Sequence, residues 1–137
     1  MKIVEVAVGV IKRSNKIYIS KRSDDLHQGG KWEFPGGKRE VNETIEQTLT
    51  RELSEEIGIQ VIQQSSFMLI EHDYGDKKVR LDVRLVENFE GEPKHQEGQK
   101  SQWVDIKDLS QFTFPEANKA IIDKLCIYKK FINHTTT

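Results

Sequence analysis

Apolar positions in this chain recur with two different periods. Between Ile45 and Ile57 they fall on every fourth residue, at Ile45, Leu49, Leu53 and Ile57, which lines one face of a helix with a stripe that drifts slowly round the axis. Thr44 precedes the stripe with Gln47 three residues on, the pattern of a capping box. Gly58 stands where a left-handed residue would end the helix. Elsewhere period two dominates. Lys16 to Arg22 sets Ile17 and Ile19 against Tyr18 and Ser20, and Lys77 to Phe89 alternates through Val79, Leu81, Val83 and Leu85, so both predict strands. Ile3 to Arg13 alternates only loosely but is rich in β-branched residues, and Ser14-Asn15 joins it to the next strand as a hairpin. Gln60 to Asp73 predicts a strand bulged around Gln63 to Ser66, turning at Tyr74-Gly75-Asp76 into a second hairpin.

Shorter signals fill the gaps. Trp32-Glu33-Phe34 and Gln102-Trp103-Val104 read as short strands, and Pro35-Gly36-Gly37 is expected to break regular pairing. Asp105 to Leu109 suggests a helical turn. A last long helix is expected from Pro115, with Ala117, Ile121, Leu125, Tyr128 and Ile132 on one face, and residues 133–137 as a frayed tail. Strands on both sides of a central helix, with a second helix at the end, predict an α/β or α+β domain whose mixed sheet is covered on both faces. No repeat or linker divides the chain, so residues 1–132 read as one domain.

Composition narrows the function more than the fold. The chain has 137 residues, 36% hydrophobic and 31% charged, with a formal net charge of −1. That balance gives no long-range attraction to a nucleic acid polymer. No apolar run is long enough to span a membrane, and no signal peptide opens the chain. Cys126 is the lone cysteine and has no internal disulfide partner. A cytoplasmic monomer acting on a small molecule is the default expectation.

The candidate chemistry sits on the central helix. Glu52, Glu55 and Glu56 are spaced i, i+3 and i+4, so their carboxylates converge. At roughly 100° per residue Glu56 falls at the border of the apolar stripe, where partial desolvation is expected. All three lie in the last turns, where the helix dipole repels acids. Such crowding costs stability unless a cation compensates. A solvated acidic face, with Arg51 pairing Glu55, is the bland alternative. Hard oxygen donors suit Mg²⁺, with Mn²⁺ as a substitute. No Cys/His set offers zinc, since His27, His72, His95 and His134 are scattered. Gly36-Gly37-Lys38 is not a phosphate-binding Walker loop. A metal bridging a diphosphate neutralises charge and acidifies a water, and Glu52 is placed to take that water's proton.

Gly37, Glu43, Arg51-Glu52-Leu53, Glu55-Glu56, Gly58 and Ile59 fill every fixed position of the Nudix box, and the chain resembles the Nudix hydrolases on those residues. The resemblance implies an α/β/α sandwich. It implies metal-binding and catalytic roles for Glu52, Glu55 and Glu56, a metal-ligating carbonyl at Gly36, and a bracing pair in Glu43 and Arg51. Outside the box, Ala7-Val8-Gly9, Phe34-Pro35-Gly36-Gly37-Lys38, Glu90-Gly91-Glu92-Pro93, Glu97-Gly98-Gln99 and Phe114-Pro115 with Ala117-Asn118 resemble the branch of the family that hydrolyses 8-oxo-dGTP to the monophosphate and pyrophosphate. On that mapping Glu97 is a loop metal ligand, and Arg22, His27, Phe34 and Asn118 bind the nucleotide. Lys77 departs from the pattern, standing where that branch has an arginine. Two other functions remain open. One is a Nudix pyrophosphohydrolase for CTP or a related pyrimidine nucleotide. The other is a non-catalytic Nudix-like binding module, although such modules usually lose glutamates that this chain keeps. The proline that marks ADP-ribose enzymes is missing around Tyr74 to Asp76.

Overall fold

The computed structural model describes residues 2–22 and 29–135, from 128 onward by backbone only. Among the described residues, seven strands form one sheet: β1 (Lys2–Arg13), β2 (Lys16–Lys21), β3 (Trp32–Glu33), β4 (Gly36–Lys38), β5 (Gln60–Asp73), β6 (Lys77–Glu90) and β7 (Ser101–Asp105). Helix α1 (Ile45–Ile57) follows β4, and α2 (Lys119–Thr135) closes the described chain.

β1 is the spine. Along one edge it runs parallel to β6, from Lys2 opposite Lys77 to Ile11 opposite Val86. Along the other edge it is antiparallel to β4 over Val6 to Val8 and then to β2 at Lys12 and Arg13. The first hairpin therefore exists, but β1 takes most of its partners from β6 and β4. The second hairpin forms as expected, with register shifts in β5 between Val61 and Gln64 and again between Ser66 and Met68. β7 completes the sheet against β2.

Both faces of β1 are buried, which explains its loose alternation. Ala7 and Ile11 pack with Leu49, Leu53 and Ile57 of α1. Val8 and Val10 point the other way, into a core that includes Ile121 and Leu125 of α2. The result is an α/β/α sandwich around a mixed sheet.

Two local expectations need correcting. Pro35-Gly36-Gly37 does not break pairing, because Gly36 to Lys38 is β4. The Pro35 carbonyl accepts from Gly9 N–H at 2.8 Å, and a Cβ on Gly36 would come within 2.0 Å of the Ala7 carbonyl oxygen. The missing side chain is what lets the two backbones meet. The last helix starts at Lys119 rather than at Pro115. Pro115 is extended, and a single 3-10 turn, Glu116–Asn118, intervenes. The helix runs to Thr135. Tyr128 and Ile132, expected on its apolar face, have side chains outside the described residues.

Candidate functional site

The termini of α1 fix where its acids stand. Thr44 Oγ1 accepts from Gln47 N–H at 3.1 Å and Gln47 Oε1 accepts from Thr44 N–H at 2.8 Å, so the capping box is complete. Gly58 ends the helix in the left-handed conformation, φ 70°. Beyond it, the loop of residues 91–100 folds over the helix end. Lys94 N–H donates to the Ile57 carbonyl at 3.0 Å and Gln96 N–H to the Glu56 carbonyl at 2.9 Å. These carbonyls have no partner inside the helix, and satisfying them docks the loop. Glu97 is thereby carried to α1, and Glu33, Glu52, Glu55, Glu56, His95 and Glu97 surround a cavity of about 280 Å³.

The acids of α1 fall into two settings. Arg51 faces Glu43 with two bonds, Nη2 to Oε1 at 2.7 Å and Nε to Oε2 at 3.2 Å. It also reaches Glu52 at 2.7 Å, Glu55 at 3.4 Å and the Lys38 carbonyl of β4 at 3.3 Å. The Arg51 guanidinium, with the Glu40 N–H, holds the Glu43 carboxyl down to about 2. Glu56 has no such partner among the described residues. Its side chain is 20% exposed, and it accepts from Gly36 N–H at 3.3 Å. Burial first, then the charges of Glu33, Glu52 and Glu97, push its pKa up to about 7 against the pull of that amide. An acid kept buried beside other acids is the electrostatic signature of a cation site.

The donor set fits a hard divalent cation: carboxylates from α1 and from the loop, with the backbone of β4 alongside. Among the described residues, no three of these side chains close on a single point, and Arg51 draws Glu52 and Glu55 toward itself. Space is also reserved around Glu52. A Cβ on Gly37 would fall 2.4 Å from its carboxylate, so only glycine lets β4 run alongside it.

A second cavity, about 360 Å³, adjoins the first. Arg22, Phe34, Gly36 and Asn118 line it, with Leu81 and Pro115, and Glu33 borders both spaces. Three expected nucleotide-binding residues, one just past β2, one just past β3 and one on the turn before α2, thus meet in one place. Phe34 is also core: it is 5% exposed and stacks on Phe114 with ring centroids 5.1 Å apart. Arg22 Nη1 bonds Glu33 Oε2 at 2.9 Å. The 3-10 turn that delays α2 is what sets Asn118 at the cavity, its N–H donating to the Pro115 carbonyl at 2.9 Å. His27 lies outside the described residues. Lys77 lies over the Tyr74 ring, 5.9 Å from its centroid, and lines neither cavity. A larger space of about 570 Å³ beside Phe112 is bordered by Lys31, Lys119 and the exposed acids Glu116 and Asp123 and has none of the expected site residues in its lining.

Two residues of the acid cavity had no signal in the sequence. Glu33 sits in a two-residue strand, where the residue pattern carries only strand propensity. His95 is one of the scattered histidines of the sequence, yet it is 7% exposed, and its Nε2 lies 3.9 Å from Glu56 Oε1. Only the docked loop reveals it.

Known proteins resemble this chain over most of its length. A NUDIX domain model matches residues 6–124. The 8-oxo-dGTP diphosphatase of Escherichia coli (strain K12) is 44% identical over 126 residues, 91% of this chain and 98% of that one. The CTP pyrophosphohydrolase of the same organism is 30% identical, covering 90% of this chain and 91% of its own length. Among solved structures, a MutT from a study of Aliivibrio salmonicida and Vibrio cholerae superposes with a TM-score of 0.83 at 42% identity, covering 90% of this chain and 97% of that one.

Proposed function

This chain belongs to the Nudix family, and on that footing we propose that it is a divalent-metal-dependent 8-oxo-dGTP diphosphatase that releases 8-oxo-dGMP and pyrophosphate. The observation that carries the proposal is the adjacency of the two cavities. Arg22, Phe34 and Asn118 line one, the acids of α1 and Glu97 line the other, and Glu33 borders both. A nucleotide seated with its base near Asn118 would extend its phosphates toward the acids. The 44% identity to an enzyme named for this activity supports the oxidised purine over CTP, whose namesake is 30% identical.

Glu55, Glu56, Glu97 and the Gly36 carbonyl would hold the cation, Mg²⁺ or in its place Mn²⁺. Bound there, it would neutralise phosphate charge and acidify a water. Glu52 accepts the proton of the attacking water as the oxygen bonds to phosphorus and a bridging P–O bond breaks, with the bridging oxygen leaving on the departing phosphate group. Arg51 orients Glu52 through the 2.7 Å contact. Phe34 supplies a flat apolar wall for the base, and Asn118 offers a donor and an acceptor on one plane. The two purines differ at N7, an acceptor in guanine and a donor N–H in its 8-oxo form. A site that accepts from that N–H leaves plain dGTP mismatched, at a cost of about 1–3 kcal/mol. The same reading includes a cytoplasmic monomer acting on free nucleotide, with no polymer or membrane partner; among the described residues no helix is long and apolar enough to cross a membrane.

The test is pyrophosphate release with Mg²⁺ from 8-oxo-dGTP, dGTP and CTP, in the wild type and Asn118→Ala. The substitution should lower kcat/KM for 8-oxo-dGTP about tenfold to a hundredfold more than for dGTP, with metal dependence unchanged. A wild type that prefers CTP, or equal losses on both purines, would leave the Nudix chemistry standing and overturn the 8-oxo-dGTP assignment.

A further inference from the structure

The loop that brings Glu97 to α1 carries a buried imidazole whose two nitrogens face different partners. His95 Nδ1 accepts a hydrogen bond from the Glu97 backbone N–H at 3.2 Å. Across the ring, Nε2 lies 3.9 Å from Glu56 Oε1. The His95 carbonyl accepts from Gly98 N–H at 3.2 Å and closes the turn, and the flanking amides of Lys94 and Gln96 are bonded to the end of α1. Two things follow. An N–H pointing at Nδ1 requires a lone pair there, so the ring's proton sits on Nε2. That Nε2–H then faces Glu56. The backbone of Glu97 and the carboxylate of Glu56 thus face one ring, 7% exposed.

We propose that His95 is a positioning residue for the cation site, fixing Glu97 through Nδ1 and turning Glu56 inward through Nε2. The inference rests on the reading of Glu97 and Glu56 as cation ligands. Without the ring acceptor, the Glu97 N–H loses its partner and the turn loses the bond that sets the direction of the Glu97 side chain. Groups that orient metal ligands from behind typically contribute a factor of 10–100 in metal affinity.

The experiment measures binding of Mn²⁺ alone, by the EPR signal of the free ion, alongside Tm. His95→Phe keeps a buried ring and removes both nitrogens. His95→Asn gives up the ring but keeps an acceptor two residues before the Glu97 amide, the geometry of an Asx turn. His95→Phe should weaken Mn²⁺ binding tenfold or more with little loss of Tm. His95→Asn should bind Mn²⁺ within about threefold of wild type while losing more Tm. A merely structural histidine would move both quantities together in both variants. Wild-type Mn²⁺ affinity in His95→Phe, or equal weakening in His95→Asn, would overturn the proposal. Should His95→Phe fail to fold, ¹⁵N spectra of the wild-type imidazole decide instead: a proton on Nε2 supports it and a proton on Nδ1 overturns it. Glu97→Gln separates the layers. If it binds Mn²⁺ as the wild type does, the ligand role of Glu97 falls; if it weakens binding while His95→Phe does not, only the role of His95 falls.

Discussion

The acids on helix α1 and just before it stand in two environments, one around Arg51 and one around Glu56, and they behave oppositely. Around Arg51 one guanidinium is shared by Glu40, Glu43, Glu52 and Glu55. Glu43 receives two bonds from the guanidinium, and its carboxyl is held down to about 2. Glu56 has no such cation beside it among the described residues, and burial with three acidic neighbours raises that carboxyl to about 7. The first region ties the loop before α1, the helix and β4 into one unit. The second stores an electrostatic deficit that a bound cation would relieve. On the proposed reading, one run of glutamates serves as brace at one end and as ligand set at the other, and what separates them is the reach of a single arginine. Glu52 lies between, bonded to Arg51 yet lining the cavity.

Substitutions should separate the two regions by size of effect. Glu52→Gln keeps shape and the contact with Arg51 while removing basicity; loss of such a group costs about 10²–10⁴-fold in rate. We expect kcat to fall by that much in a pyrophosphate assay with Tm unchanged or higher, whereas retention within tenfold would remove Glu52 from the chemistry.

Glu56→Gln probes the second region through stability. The folded-state pKa of Glu56 is raised to about 7, so between the ordinary glutamate pKa and 7 the folded protein holds a proton that the unfolded chain has lost. Stability is full below that window and falls as pH rises through 7. Two to three pKa units correspond to about 3 kcal/mol. Urea titrations in EDTA should show the wild type less stable at pH 8 than at pH 5 by an amount of that order. Glu56→Gln should lose most of this dependence, and saturating Mg²⁺ should restore wild-type stability at pH 8. Equal pH dependence in both proteins would mean that Glu56 is solvated and the contrast illusory.

Arg51→Lys should have the smallest effect. Lysine keeps the charge but lacks the planar fork, so Glu43, Glu52 and the Lys38 carbonyl are no longer held together. A drop of a few degrees in Tm and less than tenfold in kcat is expected by calorimetry and steady-state kinetics. A loss as large as that of Glu52→Gln would place Arg51 in the chemistry rather than in the brace.

Legibility followed the range of the signal. The capping box, the left-handed Gly58, the apolar stripe and the bulged β5 depend on neighbours a few residues away, and each stands in the structure as the residue pattern predicts. The clustering of Arg22, Phe34 and Asn118 was expected only through family resemblance, since nothing local brings β2, β3 and the turn before α2 together. β4 was missed because glycine has no side chain with which to show alternation, and its pairing is decided by the approach of Ala7. His95 was missed because its burial is made by the amides on either side of it finding the carbonyls of a helix some forty residues earlier in the chain. Glu33 was hidden by a strand too short to show which way its side chains point.

The parallel pairing of β1 with β6 also has a consequence for the order of folding. Lys2 faces Lys77 and Ile11 faces Val86, so the spine of the sheet gains its parallel neighbour only after a long stretch of chain has been closed. Closing such a loop carries an entropic cost before any contact repays it, and topologies rich in distant pairings fold slowly. Glu97 comes later still. During synthesis α1 emerges with its glutamates well before the loop that completes their cavity, so a chain halted before residue 94 would carry the entire acidic motif with neither the loop amides that dock on α1 nor Glu97. On the proposed reading, cation binding is then a late event in maturation, and a reporter of full-length folding rather than of helix formation.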